Sequence, residues 1–85
     1  MGQVDEIFLG YDLYDPQLEI DLSVSICRWI NNRDYTKLFF YLYRIDVNEE
    51  LVRQILDGHE LDQEKSLKIA KLMIQRQLKK LENRS

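Results

Sequence analysis

Residues 34–58 constrain the fold of this chain most, because a segment with almost no polar face runs directly into a helix-start signal. Seven of the nine residues at 35–43 are aromatic or leucine, and a helix that is apolar nearly all round must be covered on several sides. Asn48, followed by Glu49 and Glu50, is typical of a helix start, because its amide oxygen accepts free N–H groups and the carboxylates suit the positive end of the helix dipole. The segment therefore predicts two helices that meet at a rigid corner of a compact core.

Residues 17–31 allow two interpretations. Apolar and polar residues alternate strictly through part of this segment, which is the period of a half-buried strand; the apolar positions are Leu18, Ile20, Leu22, Val24 and Ile26. The same segment also fits helical spacing, and Pro16 suits the first turn of a helix. We favour a helix, because a lone strand is not stable in water and the sequence offers no second convincing strand. The strand interpretation stays open, with residues 4–9 or a second copy of the chain as its pairing partner.

The remaining patterns predict an all-α fold, a small bundle of three to four helices. Val47 and Val52 have the spacing of a hydrophobic staple at the start of the third helix, and Gly58 is the expected left-handed terminator of that helix. The last helix carries an apolar stripe made of Leu67, Ala70, Ile74, Leu78 and Leu81. We predict one domain over residues 17–85 after an acidic, tyrosine-rich arm at 1–16, with helices at about 17–31, 34–46, 48–57 and 62–83.

Composition places this domain among soluble globular proteins, since 45% of its residues are hydrophobic and 32% are charged. Cys27 is the only cysteine, so no intrachain disulfide can form, and this favours a cytoplasmic protein. No apolar run approaches the roughly 18 residues that a membrane-spanning helix needs. The first residues are acidic rather than basic, unlike a secretory signal. We therefore expect a cytoplasmic protein that does not insert into a membrane.

Charge is divided unequally along the chain. Residues 1–22 contain six acidic residues and no lysine or arginine, whereas residues 65–85 contain seven bases and Glu82 as their single acid. A basic segment of this kind can bind nucleic acid or a membrane surface. The alternative is that the two ends of one small domain lie close together and partly neutralise each other. We favour this alternative, because polar helix faces and surface ion pairs are common in folded proteins.

Two sequence motifs point to a family. Residues 42–49 read Leu-Tyr-Arg-Ile-Asp-Val-Asn-Glu, and residues 69–77 read Ile-Ala-Lys-Leu-Met-Ile-Gln-Arg-Gln. With these motifs, residues 18–84 resemble a family of short uncharacterised bacterial helical proteins that share a Leu-Tyr-Arg-Ile-Asp-Val-(Ser/Asn)-Glu core. The resemblance implies a bacterial protein and favours the helical interpretation of residues 17–31. It implies no activity.

Residues that carry chemistry are few and isolated. His59 is the only histidine and has no His or Cys partner at metal-ligand spacing, so it is predicted to be a loop residue rather than a ligand. Cys27 lies among apolar residues without a base to activate it, which favours a buried thiol over a nucleophile. The sequence contains no glycine-rich phosphate loop and no Ser/His/Asp set. We therefore predict no catalytic, metal or cofactor site, and a protein that is not an enzyme.

Polar residues near the predicted corner form a candidate structural cluster of Arg44, Asp46, Asn48 and Arg76. Arg44 suits the negative end of the second helix, and Asp46 can cap the next turn or pair with an arginine across the bundle. The alternative is a small anion-binding pocket built from Arg44, Arg76 and nearby tyrosines. A cluster that locks the junction is the simpler interpretation.

Surplus apolar surface is the main functional signal in the sequence. A few short helices cannot easily hide all the large side chains of the second and last helices, and exposed patches of that kind usually mark interfaces. The residues predicted to form this interface are Phe40, Tyr41, Tyr43, Leu72 and Met73. The sequence therefore favours a protein–protein interaction or scaffold protein, which binds a protein partner or forms a homo-oligomer such as a homodimer.

Nucleic-acid or anionic-surface binding through the basic C-terminal helix is the alternative function. Residues 34–45 and 48–57 have the order of a helix-turn-helix, but the second of them begins with two glutamates and the isoelectric point is about 5.1, which disfavours contact with phosphates. The bases of residues 62–84 lie opposite the apolar stripe, a pattern shared by any surface helix of a bundle. Nucleic acid is therefore the less favoured partner.

Overall fold

Four α-helices make up the part of the chain that the structure, a computed structural model, describes, which is residues 15–82. They are α1 (Pro16–Asn31), α2 (Tyr35–Arg44), α3 (Glu49–Asp57) and α4 (Asp62–Glu82). No strand occurs within these residues, so the prediction of a small all-α bundle is confirmed. The prediction of an N-terminal arm falls almost wholly on residues 1–14, which lie outside the described part.

Helix α1 resolves the choice between helix and strand. Asp15 caps its first turn, since Oδ1 accepts a hydrogen bond from the Gln17 N–H at 2.9 Å, and Pro16 occupies the first turn as expected. The buried face repeats at helical spacing and consists of Leu18, Leu22, Ile26 and Ile30. The strand interpretation is therefore wrong. The apolar residues that suggested it are divided between this buried face and a second face of the same helix.

Helix α1 ends on a residue with left-handed backbone geometry. Arg33 has a φ of 57°, and the two N–H groups that follow the helix turn back onto it. Arg33 N–H donates to the Ile30 carbonyl at 3.0 Å, and Asp34 N–H donates to the Trp29 carbonyl at 2.8 Å. This pair of bonds satisfies carbonyls that the helix end would otherwise leave free. The side chain of Asp34 then caps α2 by accepting from the Lys37 N–H at 3.3 Å.

The corner between α2 and α3 is built in the same way. Asp46 has a φ of 62° and donates its N–H to the Tyr43 carbonyl at 3.2 Å, while Val47 N–H donates to the Leu42 carbonyl at 3.0 Å. Asn48 caps α3, because its Oδ1 accepts hydrogen bonds from the Glu50 N–H at 2.9 Å and the Leu51 N–H at 3.4 Å. Val47 packs against the core cluster that contains Val52, the predicted staple partner. The predicted corner between α2 and α3 is thus present.

Gly58 differs from the prediction. Its φ is −69° and its ψ is 173°, which is extended backbone rather than the left-handed conformation of a helix terminator. The prediction fails because a side chain of another helix, rather than a left-handed turn at Gly58, satisfies a carbonyl at the end of α3. Lys65 reaches across from α4 and donates its Nζ to the Leu56 carbonyl at 2.7 Å. With that carbonyl satisfied, the chain leaves the helix in an extended conformation.

The core lies where α4 packs on the other helices. Its fully buried residues on α4 are Ser66, Ile69, Ala70 and Met73. This face is rotated from the predicted one, because Leu67 is 38% exposed and Ile74 and Leu78 are only half-buried. Ser66 and Ala70 are small, so the face that carries them allows close helix approach. The Ser66 hydroxyl remains satisfied, since it donates to the Asp62 carbonyl at 2.6 Å.

Candidate interaction surface

The residues predicted to form an aromatic interface do not lie on one surface. Phe40 and Tyr43 are exposed, at 44% and 85%. Tyr41 is half-buried and stacks on Trp29, with ring centroids 5.2 Å apart. Leu72 is half-buried against the core, and Met73 is fully buried within it. Met73 is therefore removed from the predicted interface, because it lies on the α4 face that packs inward.

The Phe40 ring is partly covered by other side chains of the same chain. The Arg44 guanidinium lies over its ring, 5.6 Å from the centroid, and the Tyr41 ring meets it edge-on at 5.5 Å. The same kind of contact recurs on the other side of α2, where Arg53 lies 4.8 Å from the Phe39 centroid. Arginines thus cover two of the α2 aromatic rings. Tyr43 is the most exposed aromatic side chain of α2, while Phe40, although under Arg44, and Tyr35 remain about two-fifths exposed.

The polar cluster is brought together only in part. Arg76 Nη2 donates to Asp46 Oδ2 at 2.7 Å, which ties α4 to the α2–α3 corner. Asn48 is used in the cap of α3. The Arg44 guanidinium lies over the Phe40 ring instead, and within the described residues Arg44 forms no ion pair with Asp46. Because one arginine is already neutralised by a carboxylate, this arrangement favours a structural lock over an anion-binding pocket.

Four of the six bases of α4 are engaged within the described residues. Lys65 binds the Leu56 carbonyl, Lys68 pairs with Glu60, Lys71 lies 3.7 Å from a Glu19 oxygen, and Arg76 pairs with Asp46. These contacts reach α1, the α2–α3 corner, the end of α3 and the loop before α4. Only the Glu19–Lys71 contact joins the acidic segment 1–22 to the basic segment 65–85, so within the described residues the mutual neutralisation of the two segments depends on one pair. Lys79 and Lys80 make no ion pair with a described side chain, so the engaged bases reduce, without removing, the cations that could meet phosphates.

Neither His59 nor Cys27 is part of a reactive arrangement within the described residues. His59 is exposed in the loop before α4, and no group of three His, Cys, Asp or Glu side chains there is placed to hold a metal ion. Cys27 is half-buried rather than buried, and its Sγ accepts a hydrogen bond from the Asn31 amide at 3.6 Å.

Within residues 15–82, no helix is long and apolar enough to cross a membrane.

An open groove between α1 and α4 is the surface that sequence reasoning missed. Its volume is about 680 Å³. Three exposed apolar side chains line it, namely Ile20 at 51%, Val24 at 54% and Leu67 at 38% exposure. Ser23 and Cys27 also line the groove on its α1 side. We call this surface the α1/α4 groove.

The two helices that form the α1/α4 groove run antiparallel. Glu19 meets Lys71 beyond one end of the groove, while Asn31 and Gln63 line it at the other end. Arg28 on α1 and Glu64 on α4 also line this second end, and both side chains are exposed. The groove therefore has an apolar centre with charged residues at both ends.

The signal for this groove was present in the alternating pattern of α1. In a helix, apolar residues at every second position cannot all share one face, since the helical period is 3.6 residues. Leu18, Leu22 and Ile26 take the buried face, which leaves Ile20 and Val24 outside. The alternation was thus a sign of two apolar faces on one helix. Interpreting it as a choice between helix and strand concealed the second face.

The chain matches no protein-family model, no curated protein and no solved structure. The resemblance to a bacterial helical family carried by residues 42–49 and 69–77 therefore stays a prediction. The fold and surface define the chain at the level of its class. Within the described residues it is a small all-α bundle that carries an open, partly apolar groove between α1 and α4.

Proposed function

We propose that this chain is a small, non-enzymatic interaction protein that associates with a second copy of itself through the α1/α4 groove. The observation that carries the proposal is the exposure of Ile20, Val24 and Leu67 along one groove. Exposed apolar residues that are scattered singly need no explanation, whereas a contiguous group rimmed by polar residues is typical of an interface.

The size of the apolar group sets the expected strength. Full burial of a Val, Leu or Ile side chain contributes about 1.5–3 kcal/mol, so roughly 1 kcal/mol remains for each side chain that is half exposed. Three side chains from each of two copies then contribute about 6 kcal/mol, which exceeds the lowest association cost of about 4 kcal/mol by only about 2 kcal/mol. A dimer at millimolar concentration needs about 4 kcal/mol, so polar contacts around the groove have to supply the rest, and we expect a weak, concentration-dependent dimer.

The lining of the groove supports binding rather than catalysis. Its polar side chains near the centre are Ser23 and Cys27, and the one side-chain hydrogen bond of Cys27 among the described residues is accepted by Sγ from the Asn31 amide. A serine or cysteine nucleophile needs an adjacent base that is itself oriented by a third group. Glu64 is the one carboxylate in the described lining, and no hydrogen bond joins it to Ser23 or Cys27.

Sedimentation equilibrium of the full chain tests this function. The wild type is expected to shift from monomer to dimer as concentration rises, and Val24→Glu and Leu67→Glu are each expected to stay monomeric. Leu61→Glu is the matched control, because Leu61 is apolar and 70% exposed but does not line the groove. Circular dichroism of each variant checks that the helices are intact. A wild type that is monomeric at millimolar concentration, or a Leu61→Glu variant that dissociates as fully as the groove variants, contradicts the proposal.

A further inference from the structure

Four charged side chains surround the apolar centre of the α1/α4 groove, and their signs alternate. At one end Arg28 stands on α1 and Glu64 on α4; at the other end Glu19 stands on α1 and Lys71 on α4. Each helix thus carries one cation and one anion, in opposite order along the groove. This inference rests on the proposed self-association and concerns how the two copies meet.

The two ends differ in how their charges are used within one copy. Glu19 and Lys71 are 3.7 Å apart and already form a pair. Arg28 and Glu64 are both exposed, and neither has an ion pair with another described side chain. The end of the groove at Arg28 and Glu64 is therefore where charges remain to be matched by an occupant.

A surface that alternates in sign across its two sides is complementary to itself. When two copies meet through the same patch, a two-fold axis relates them, and each contact occurs twice. If that axis runs along the groove, α1 of one copy lies over α4 of the other. Arg28 then faces Glu64 of the second copy, and Val24 faces Leu67 of the second copy.

We propose that the groove binds a second copy in this orientation, with two Arg28–Glu64 pairs flanking the apolar contact. The other two-fold arrangement places α1 over α1 and sets Arg28 against Glu19 of the second copy. It is disfavoured because Glu19 is paired within its own chain and its side chain is only 30% exposed. Complementary charges across the interface fix the orientation and exclude occupants with the wrong pattern.

Charge reversal at each position, followed by mixing, tests the orientation. Arg28→Glu places two carboxylates opposite each other at both pairs, and Glu64→Arg does the same with two cations. We expect each single variant to self-associate about tenfold more weakly than the wild type. An equimolar mixture of the two variants restores both pairs in the mixed dimer, so its affinity is expected to return to within about threefold of the wild type.

Lys79→Glu serves as the control, because Lys79 is exposed and does not line the groove. It is expected to leave self-association unchanged. If the wild type associates but the mixture stays as weak as the single variants, the orientation is overturned while self-association survives. If the wild type does not associate at all, the proposed function fails together with the inference.

Cys27 provides an independent readout of the occupant. It lines the groove and is the only cysteine of the chain, so the rate of maleimide labelling reports on this site alone. We expect labelling to slow as wild-type concentration rises, and to be independent of concentration for Arg28→Glu within the same range. If sedimentation shows a dimer but labelling of Cys27 is independent of wild-type concentration, the two copies do not meet at this groove and the proposal is overturned.

Discussion

Arg76 and Asp46 form an ion pair that joins α4 to the α2–α3 corner, with Arg76 Nη2 donating to Asp46 Oδ2 at 2.7 Å. Asp46 is also one of the two described non-glycine residues with positive φ. The same residue therefore makes the turn and fastens it to another helix. Aspartate suits both tasks, because its short side chain tolerates left-handed geometry and its carboxylate accepts from arginine.

The ion pair is expected to contribute little to stability despite its short distance. The side chain of Asp46 is 74% exposed and that of Arg76 is 35% exposed, so water screens the pair. A double-mutant cycle with Arg76→Met and Asp46→Asn is expected to give a coupling energy of about 0.2–1 kcal/mol. Asparagine tolerates positive φ as aspartate does, so Asp46→Asn removes the charge of the side chain without disturbing the turn. Urea denaturation of the four proteins measures the coupling, and a value above about 2 kcal/mol contradicts the assignment of a screened pair.

Arg33 offers a stabilising substitution. Its φ of 57° is unfavourable for a residue with a Cβ, and its side chain is exposed. Arg33→Gly is expected to raise the free energy of unfolding by up to about 1 kcal/mol, because glycine adopts this geometry without strain. Arg33→Ala is the control, since it removes the long side chain but keeps the Cβ. Thermal unfolding compares the two, and a glycine variant no more stable than the alanine variant refutes the prediction.

Among the residues predicted to form an interface, Met73 lies in the core and Tyr43 lies on the surface, so their substitutions are expected to have different effects. Met73 is fully buried, so Met73→Ala is expected to cost about 2–5 kcal/mol of stability. Tyr43 is 85% exposed, so Tyr43→Ala is expected to change stability by no more than about 0.5 kcal/mol. Both variants are measured by urea denaturation. Similar losses for the two would show that Tyr43 is covered in solution, which this structure does not predict.

Sequence patterns predicted the elements of this fold better than their orientation. The start of α3 was correct because Asn48 and the glutamates after it act locally, through hydrogen bonds within a few residues. The end of α3 at residue 57 was also correct, but the left-handed conformation expected of Gly58 was wrong. There the Leu56 carbonyl is satisfied by Lys65, which lies nine residues further along the chain. Local rules hold where the partners are local, and they fail where another helix supplies the partner.

The orientation of α4 could not be predicted for a related reason. Leu67 and Met73 belong to two apolar stripes that lie side by side on this helix, and either stripe alone can cover a core. Packing against α1 places Met73 inside and leaves Leu67 at the groove. A sequence pattern reports which faces of a helix are apolar, whereas the position of the neighbouring helix decides which of them is covered.

The central place of α4 has a consequence for how the chain is made. It supplies Ile69, Ala70 and Met73 to the core, yet it is the last of the described helices to be synthesised. While residues 16–57 leave the ribosome, their apolar faces lack the helix that covers them. The apolar face of α1 therefore stays without its main packing partner until α4 has been synthesised, and a chain truncated before residue 62 would leave that face exposed.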